Sequence, residues 1–300
     1  MAVLSPMSPS ASQLRAYRPP LDSRGRERGV TLIVWVVALG VIGIFVWIVG
    51  DVFCRGVQHL SFDFLVHPPQ HAGRSGGIST ILVGTLYILG VAFGTALPIG
   101  LGAAILLAEF SSTTEACTRW VRRSLDLLAG VPSIIFGLFG LAFFGEYLGW
   151  GWSILSGGMT LACMILPLLI RSAEESLRAV PQGLRHGAAA LGLSKRAAVW
   201  HLTLPAAAPG ITAGVVLSIG RALAETAALL FTAGSAIRMP DSWFDSARAL
   251  SYHIYLLAVE VPGGQGRAYA SAVVLVMLLL MINGLAMVLM RQVQRRLTPG

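Results

Sequence analysis

An all-α polytopic membrane fold with six transmembrane helices is what this sequence predicts, and three observations carry it. Of 300 residues, 55% are hydrophobic and only 12% are charged, about half the charged share of a globular chain. The apolar residues fall in long blocks rather than short periodic stripes, so they read as spans and not as amphipathic core helices. The basic residues gather beside these blocks. Despite the net charge of +8, that arrangement is a topology signal and not a nucleic-acid footprint.

Residues 1–29 are rich in Ser, Pro and Arg and read as a disordered tail ending in Arg24, Arg26 and Arg28. The first apolar block, 30–52, is too long for a signal-peptide core and lacks a small-residue cleavage site after it, so it reads as an uncleaved span. Five more blocks follow, at about 78–108, 125–144, 150–170, 211–233 and 268–290, each near the ~20 residues a helix needs to cross the hydrocarbon. The second is long enough to tilt or to bend at Pro98, and its Gly90 and Gly94 hint at close helix packing. A basic tail with Arg291, Arg295 and Arg296 fills 291–300.

With six spans, 16 of the 22 Lys and Arg fall on one side. Lysine and arginine in short loops mark the cytoplasmic face, so both termini and the polar segment 171–210 are expected there. Trp150 and Trp152 then suit the outer interface of the fourth span.

Two outer loops are long. The first carries His59, His67 and His71, but Pro68 and Pro69 break any helical face that would gather them, and no metal site is expected. The second, 234–267, has an amphipathic middle with Trp243, Phe244, Leu250, Tyr252 and Tyr255. It reads either as an interfacial helix on the outer leaflet or as a docking element. Cys54, Cys117 and Cys163 share no motif spacing and read as small hydrophobes.

Arg221 and Glu225 lie within the fifth apolar block, where an isolated charge costs about 2.5–3.5 kcal/mol. Four residues apart on a continuous helix they would share a face and neutralise each other. Two readings stay open: an ion pair locking the bundle, or a translocation-path group whose arginine meets an anionic substrate. Lys195 is the only lysine, and no phosphate-binding G-x-x-x-x-G-K-[ST] loop surrounds it. The chain is therefore expected to be a non-catalytic subunit without a cofactor, and any ATP hydrolysis belongs to another polypeptide.

Segment 171–210 reads as three short helices. Ser172 caps the first, with Glu174 and Glu175 in its opening turn. Pro181 starts the second, which Gly192 stops. Ser194 caps the third, which runs to about Leu204, and Pro205 and Pro209 break the chain before the fifth span.

Within it, His186-Gly187-Ala188-x-x-x-Gly192, nine residues, then Leu202-x-Leu204-Pro205 resembles the EAA loop of ABC importer permeases, E-A-A-x-x-x-G, nine residues, I-x-L-P. The stretches GGISTILVGTL (76–86), GVPSIIFGLFG (130–140) and GRALAETAALLFTA (220–233) look like phosphate permeases of the PstA type. The resemblance implies a type I ABC importer permease fold and the membrane subunit of a phosphate importer. It also implies four further components: a homologous second permease, two cytoplasmic ATPase subunits and an external phosphate-binding protein. Coupling to the ATPase would run through Leu184, His186, Gly187, Ala188, Gly192, Leu204 and Pro205, with 184–192 as the docking helix.

Two departures stand out. His186 and Gly187 replace the motif's glutamate and first alanine, and in the common R-A-x-G-E-T-A-P of the fifth span Ala224 and Ala228 replace glycine and proline. A permease for another oxyanion (sulfate, molybdate or phosphonate) is the near alternative. An ATP-independent channel or secondary transporter with a merely structural loop is the distant one.

Overall fold

A computed structural model describes residues 23–111 and 115–297. Most of the tail expected at 1–29 lies outside these residues, as do Thr298–Gly300 at the end of the basic tail. At Ser23 the chain is already helical. Helix α1 runs from Ser23 to Val57, and its residues through Asp51 form a unit distinct from the rest. Within that unit the span has none of its apolar surface buried.

From Val52 on, the described elements are α2 (Phe62–Val66), the two-residue strands β1 (Pro69–Gln70) and β2 (Ser75–Gly76), α3 (Ser79–Ile105), α4 (Ala116–Ala129), α5 (Ser133–Gly140) and α6 (Ile154–Arg178). They continue with α7 (Gln182–Ala190), α8 (Lys195–Ala198), α9 (Leu204–Ala224), α10 (Ala227–Thr232), α11 (Leu250–Val259) and α12 (Gln265–Leu297). The strands pair antiparallel with Pro69 opposite Gly76. Five described helices are long and apolar enough to cross a membrane, and six if the bent pair Ala116–Ala129 and Ser133–Tyr147 counts as one.

Helix α6 is the centre. Two-thirds of its apolar window is buried, against 28% or less for the other long helices. Leu161, Ile165 and Leu169 of α6 pack with Ile88, Ala92 and Ala96 of α3, Ile219 and Leu223 of α9, and Leu256 of α11. Helices come this close because glycine replaces side chains at the crossings. A Cβ on Gly140 of α5 would strike Thr160 of α6 and Thr232 of α10, one on Gly157 would strike Ala233, and one on Gly158 would strike Val91. Gly90 and Gly94 meet nothing within 4 Å, so the small-residue pair noted in the sequence packs no helix among the described residues. Accordingly, Gly140→Val is expected to lower stability by about 1–3 kcal/mol through overpacking. Gly90→Val, the control, should leave the thermal unfolding midpoint in detergent nearly unchanged.

Four boundaries differ from the sequence reading. The third span is not a continuous helix over 125–144: it turns by 101° between Ala129 and Ser133, where Gly130 and Pro132 interrupt the hydrogen-bond ladder. The helix of the fourth span does not stop at Ile170: α6 runs on unbroken to Arg178, mostly through good helix formers. Ser172 is thus inside α6 rather than a cap. Its side chain lies against Gly214 of α9. Pro205 and Pro209 do not break the chain either: the helix is continuous from Lys195 to Ala224, with a π-helical turn at Val199–Thr203 that widens the backbone just before Pro205. The fifth span, by contrast, breaks at Glu225 and resumes in α10.

The connection between α10 and α12 is not an interfacial helix. Leu250, Ser251, Tyr252, His253, Leu256 and Leu257 of α11 are all buried, whereas Trp243 and Phe244 of the preceding loop are exposed. Polar bonds fix α11 in place. Thr85 Oγ1 accepts from the Leu250 N–H at 2.9 Å, and Thr80 Oγ1 donates to Ile237 O at 2.6 Å. Burial first, and the nearby Arg248 second, push the His253 imidazole down to about 3, so it is neutral. Of the loop histidines, His71 bonds Ser75, His67 lies near Asp63 and His59 packs on Gly266. The described residues hold no group of three side chains able to bind a metal.

Candidate functional site

Helix α7 is short, and the sequence sets both its ends. Pro181, with ψ of 136°, provides the extended entry, its missing N–H being no loss at a helix start. Gly192 closes the helix at φ +73°. Its N–H donates to Ala189 O at 3.0 Å, and the Leu193 N–H donates to Ala188 O at 3.0 Å, the paired bonds of a Schellman stop that need a left-handed residue. Ser194 Oγ then accepts from the Ala197 N–H at 3.3 Å and begins α8.

Between these ends the side chains divide by face. Ala188 is buried and Arg185 half-buried, whereas Leu184, His186 and Gly187 are exposed. Leu191, just past the helix, is 81% exposed. Nothing lies within 4 Å of Gly187. Leu204 instead packs inward with Ala104, Ala173, Leu177 and Ala207, and Pro205, partly buried, lies in the first turn of α9. Trp200, which the sequence reading passed over, is 61% exposed on the π-helical turn.

Charge fastens this face to the spans. Arg185 Nη1 donates to both carboxylate oxygens of Glu109 at 2.5 Å, and Nη2 donates to Leu177 O at 2.7 Å. Arg122 Nε donates to Glu174 Oε1 at 2.7 Å, and Arg178 Nε lies 3.0 Å from the same oxygen. Both of these arginines also donate to Leu107 O, at 3.0 and 3.2 Å. Leu107 and Glu109 sit in a π-helical turn, Leu106–Phe110, at the end of α3; the wider turn frees a carbonyl and turns the carboxylate inward. Beneath α7, a cavity of about 400 Å³ is lined by Glu109, Arg185, Ala189, Lys195 and Thr203 among others. None of Glu109, Arg122, Glu174, Arg178 and Arg185 was singled out from the sequence as a site, since Arg122 and Glu174 are 52 residues apart and Glu109 and Arg185 are 76 apart. The available signal was Glu109 itself, a carboxylate attached to the apolar run AILLA.

In the fifth span the expected Arg221–Glu225 pair does not form. The helix ends at Ala224, and Glu225 is extended at ψ 124°, so the two no longer share a helix face. Glu225 Oε1 accepts from the Ala228 N–H at 3.2 Å and caps α10, while Ser251 Oγ donates to Glu225 O at 2.5 Å. A proline at 228 would have no such N–H to give. Arg221 is exposed and has no side-chain partner among the described residues. It stands on a stripe with Ala213, Leu217 and Ala224, all exposed.

The fold and this exposed helix can be set beside known proteins. Residues 96–299 match the family described as "Binding-protein-dependent transport system inner membrane component". The chain belongs to this family. Similar proteins include the probable ABC transporter permease protein YqgI of Bacillus subtilis, 31% identical over 278 residues, with 88% of this chain and 93% of that protein covered. Another is the phosphate transport system permease protein PstA 1 of Mycobacterium tuberculosis, 35% identical over 233 residues, with 77% and 75% covered. Among solved structures, a bacterial ABC transporter involved in alginate import matches with a TM-score of 0.59 at 14% identity, over 90% of this chain and 99% of that one. The MetNI methionine transporter in inward-facing form gives 0.55 at 18%, over 73% and 96%. The fold is that of a type I ABC importer permease. As a member of the family, the chain is a multi-pass, non-catalytic membrane subunit.

Proposed function

We propose that this chain is a transmembrane permease subunit of an ATP-driven importer of inorganic phosphate in a bacterial inner membrane, with both termini in the cytoplasm. It pairs with a homologous second permease, receives phosphate from an external binding protein, and is driven by two ATPase subunits. The observation that carries the reading is α7: a nine-residue helix with an exposed Leu184–His186–Gly187–Leu191 face and an ion-paired inner face. An exposed apolar face of this kind suits insertion into a partner's groove. PstA-type relatives supply the substrate assignment, and Arg221, with no side-chain partner among the described residues, supplies a guanidinium that fits a tetrahedral oxyanion.

The test is ATP hydrolysis and uptake by the full complex in liposomes. Phosphate is expected to stimulate both, and sulfate or molybdate neither; stimulation by one of those instead would reassign the substrate. Deleting 184–192 should abolish co-purification of the ATPase while membrane insertion persists, and unchanged co-purification would remove α7 as the coupling element. Arg221→Ala should lose uptake with the complex assembled. Anion currents from the chain alone would favour a channel.

A further inference from the structure

Helix α4 lies at 101° to the helix that follows it, so if α5 crosses the bilayer, α4 lies along its surface. One edge of α4 belongs to the protein: Thr118 and Leu125 are buried, Arg122 bonds Glu174, and Arg171 bonds Asp126 at 2.8 Å. At about 100° per residue, Trp120 and Leu127 stand opposite that edge, 68% and 75% exposed. Cys117, Val121 and Leu128 flank them on one side, all exposed. Arg119 and Arg123 flank them on the other, exposed and with no side-chain partner among the described residues. Once Arg122 and Asp126 are paired, α4 therefore keeps two free positive charges beside an apolar outer face.

We propose that α4 is an interfacial helix seated on anionic phospholipid, with Trp120 and Leu127 at the acyl boundary and Arg119 and Arg123 on the phosphate headgroups. A helix facing only water would not carry Trp120 and Leu127 at its outermost line. Apolar exposure resumes past the turn on α5, where Ile134, Ile135, Leu138 and Phe139 are exposed, as suits an in-plane helix joined to a span. Guanidinium groups on the remaining flank match phosphodiesters in charge and in hydrogen-bond geometry. This assignment concerns lipid alone and does not depend on which solute is carried.

Cys117 supplies the probe. In the full chain carrying Cys54→Ser and Cys163→Ala, a donor fluorophore on Cys117 reports energy transfer from phosphatidylcholine vesicles containing trace acceptor-labelled phosphatidylglycerol or acceptor-labelled phosphatidylcholine. The phosphatidylglycerol acceptor is expected to be enriched about fivefold near the label. The enrichment should fall with added salt, vanish in R119Q/R123Q and survive in R119K/R123K. Equal transfer to both acceptors in the parent chain would overturn the proposal, as would an undiminished preference in R119Q/R123Q. Weak transfer to either acceptor would mean that protein covers α4, and would overturn it as well.

Discussion

Glu174→Ala is expected to cost about 3–5 kcal/mol of folding stability, because it strands charge in a place where water cannot follow. The Glu174 side chain is 5% exposed and that of Arg122 only 17%, so Arg122 would keep its charge with no carboxylate to meet it. Arg178 is better placed to escape, at 37% exposed. The backbone gives partial relief only, since Leu107 O already accepts from both guanidinium groups. The cost therefore comes from the orphaned partner rather than from the pair itself, and this separates two variants. E174A alone should drop the unfolding midpoint sharply, whereas E174L/R122L, which removes both ends and refills the volume, should recover most of the loss. An E174A midpoint equal to that of the parent would show that the buried network contributes nothing.

That network is also where sequence reasoning stopped. The spans were legible because apolar block length is a one-dimensional quantity, and α7 was legible because Pro181, Gly192 and Ser194 state their roles locally. The pairing of Glu174 with Arg122 depends instead on how α4 crosses α6, which no local pattern encodes. Glu174 was placed in the opening turn of a helix capped by Ser172. In fact nothing between Ile170 and Arg178 disfavours helix, and the change from apolar to polar sequence marked an exit from hydrocarbon, not a helix end.

The break at Glu225 is the opposite case, a discontinuity without a local signal. In the phosphate-permease pattern a glycine precedes the glutamate and a proline follows, and both weaken a helix. Here Ala224 and Ala228 remove both signals, yet the helix still ends at Ala224. One tertiary and one local bond hold it open: the Ser251 hydroxyl occupies the Glu225 carbonyl, and the Glu225 carboxylate takes the Ala228 N–H three residues on. Reading Arg221 and Glu225 as neighbours on one face failed because local propensity favoured a continuous helix and packing overrode it. The bend before α5 was different, since Gly130 and Pro132 announced it and the apolar run concealed it.

Arg185→Lys is expected to leave the chain folded yet lower substrate uptake per ATP about tenfold in the reconstituted complex, an ordinary size for a coupling free energy. Arg185 is the side chain that ties α7 to the end of α3, reaching both oxygens of Glu109 and the carbonyl of Leu177. Lysine keeps the charge near the buried carboxylate, so the folding cost is small. A single ammonium cannot span three acceptors as the planar guanidinium does. If a partner moves α7 from outside, the displacement reaches the spans through this link, and a looser link lets α7 slide over the cavity beneath it instead. Hydrolysis would then continue while transport lagged. Arg185→Ala adds a stability loss, because Glu109, 5% exposed, is left bare; E109Q/R185Q removes both charges and should fold but remain uncoupled. The deciding measurement is the ratio of uptake to hydrolysis. A ratio unchanged in Arg185→Lys would mean that force passes to the spans through Leu204 and its apolar cluster rather than through the ion pair.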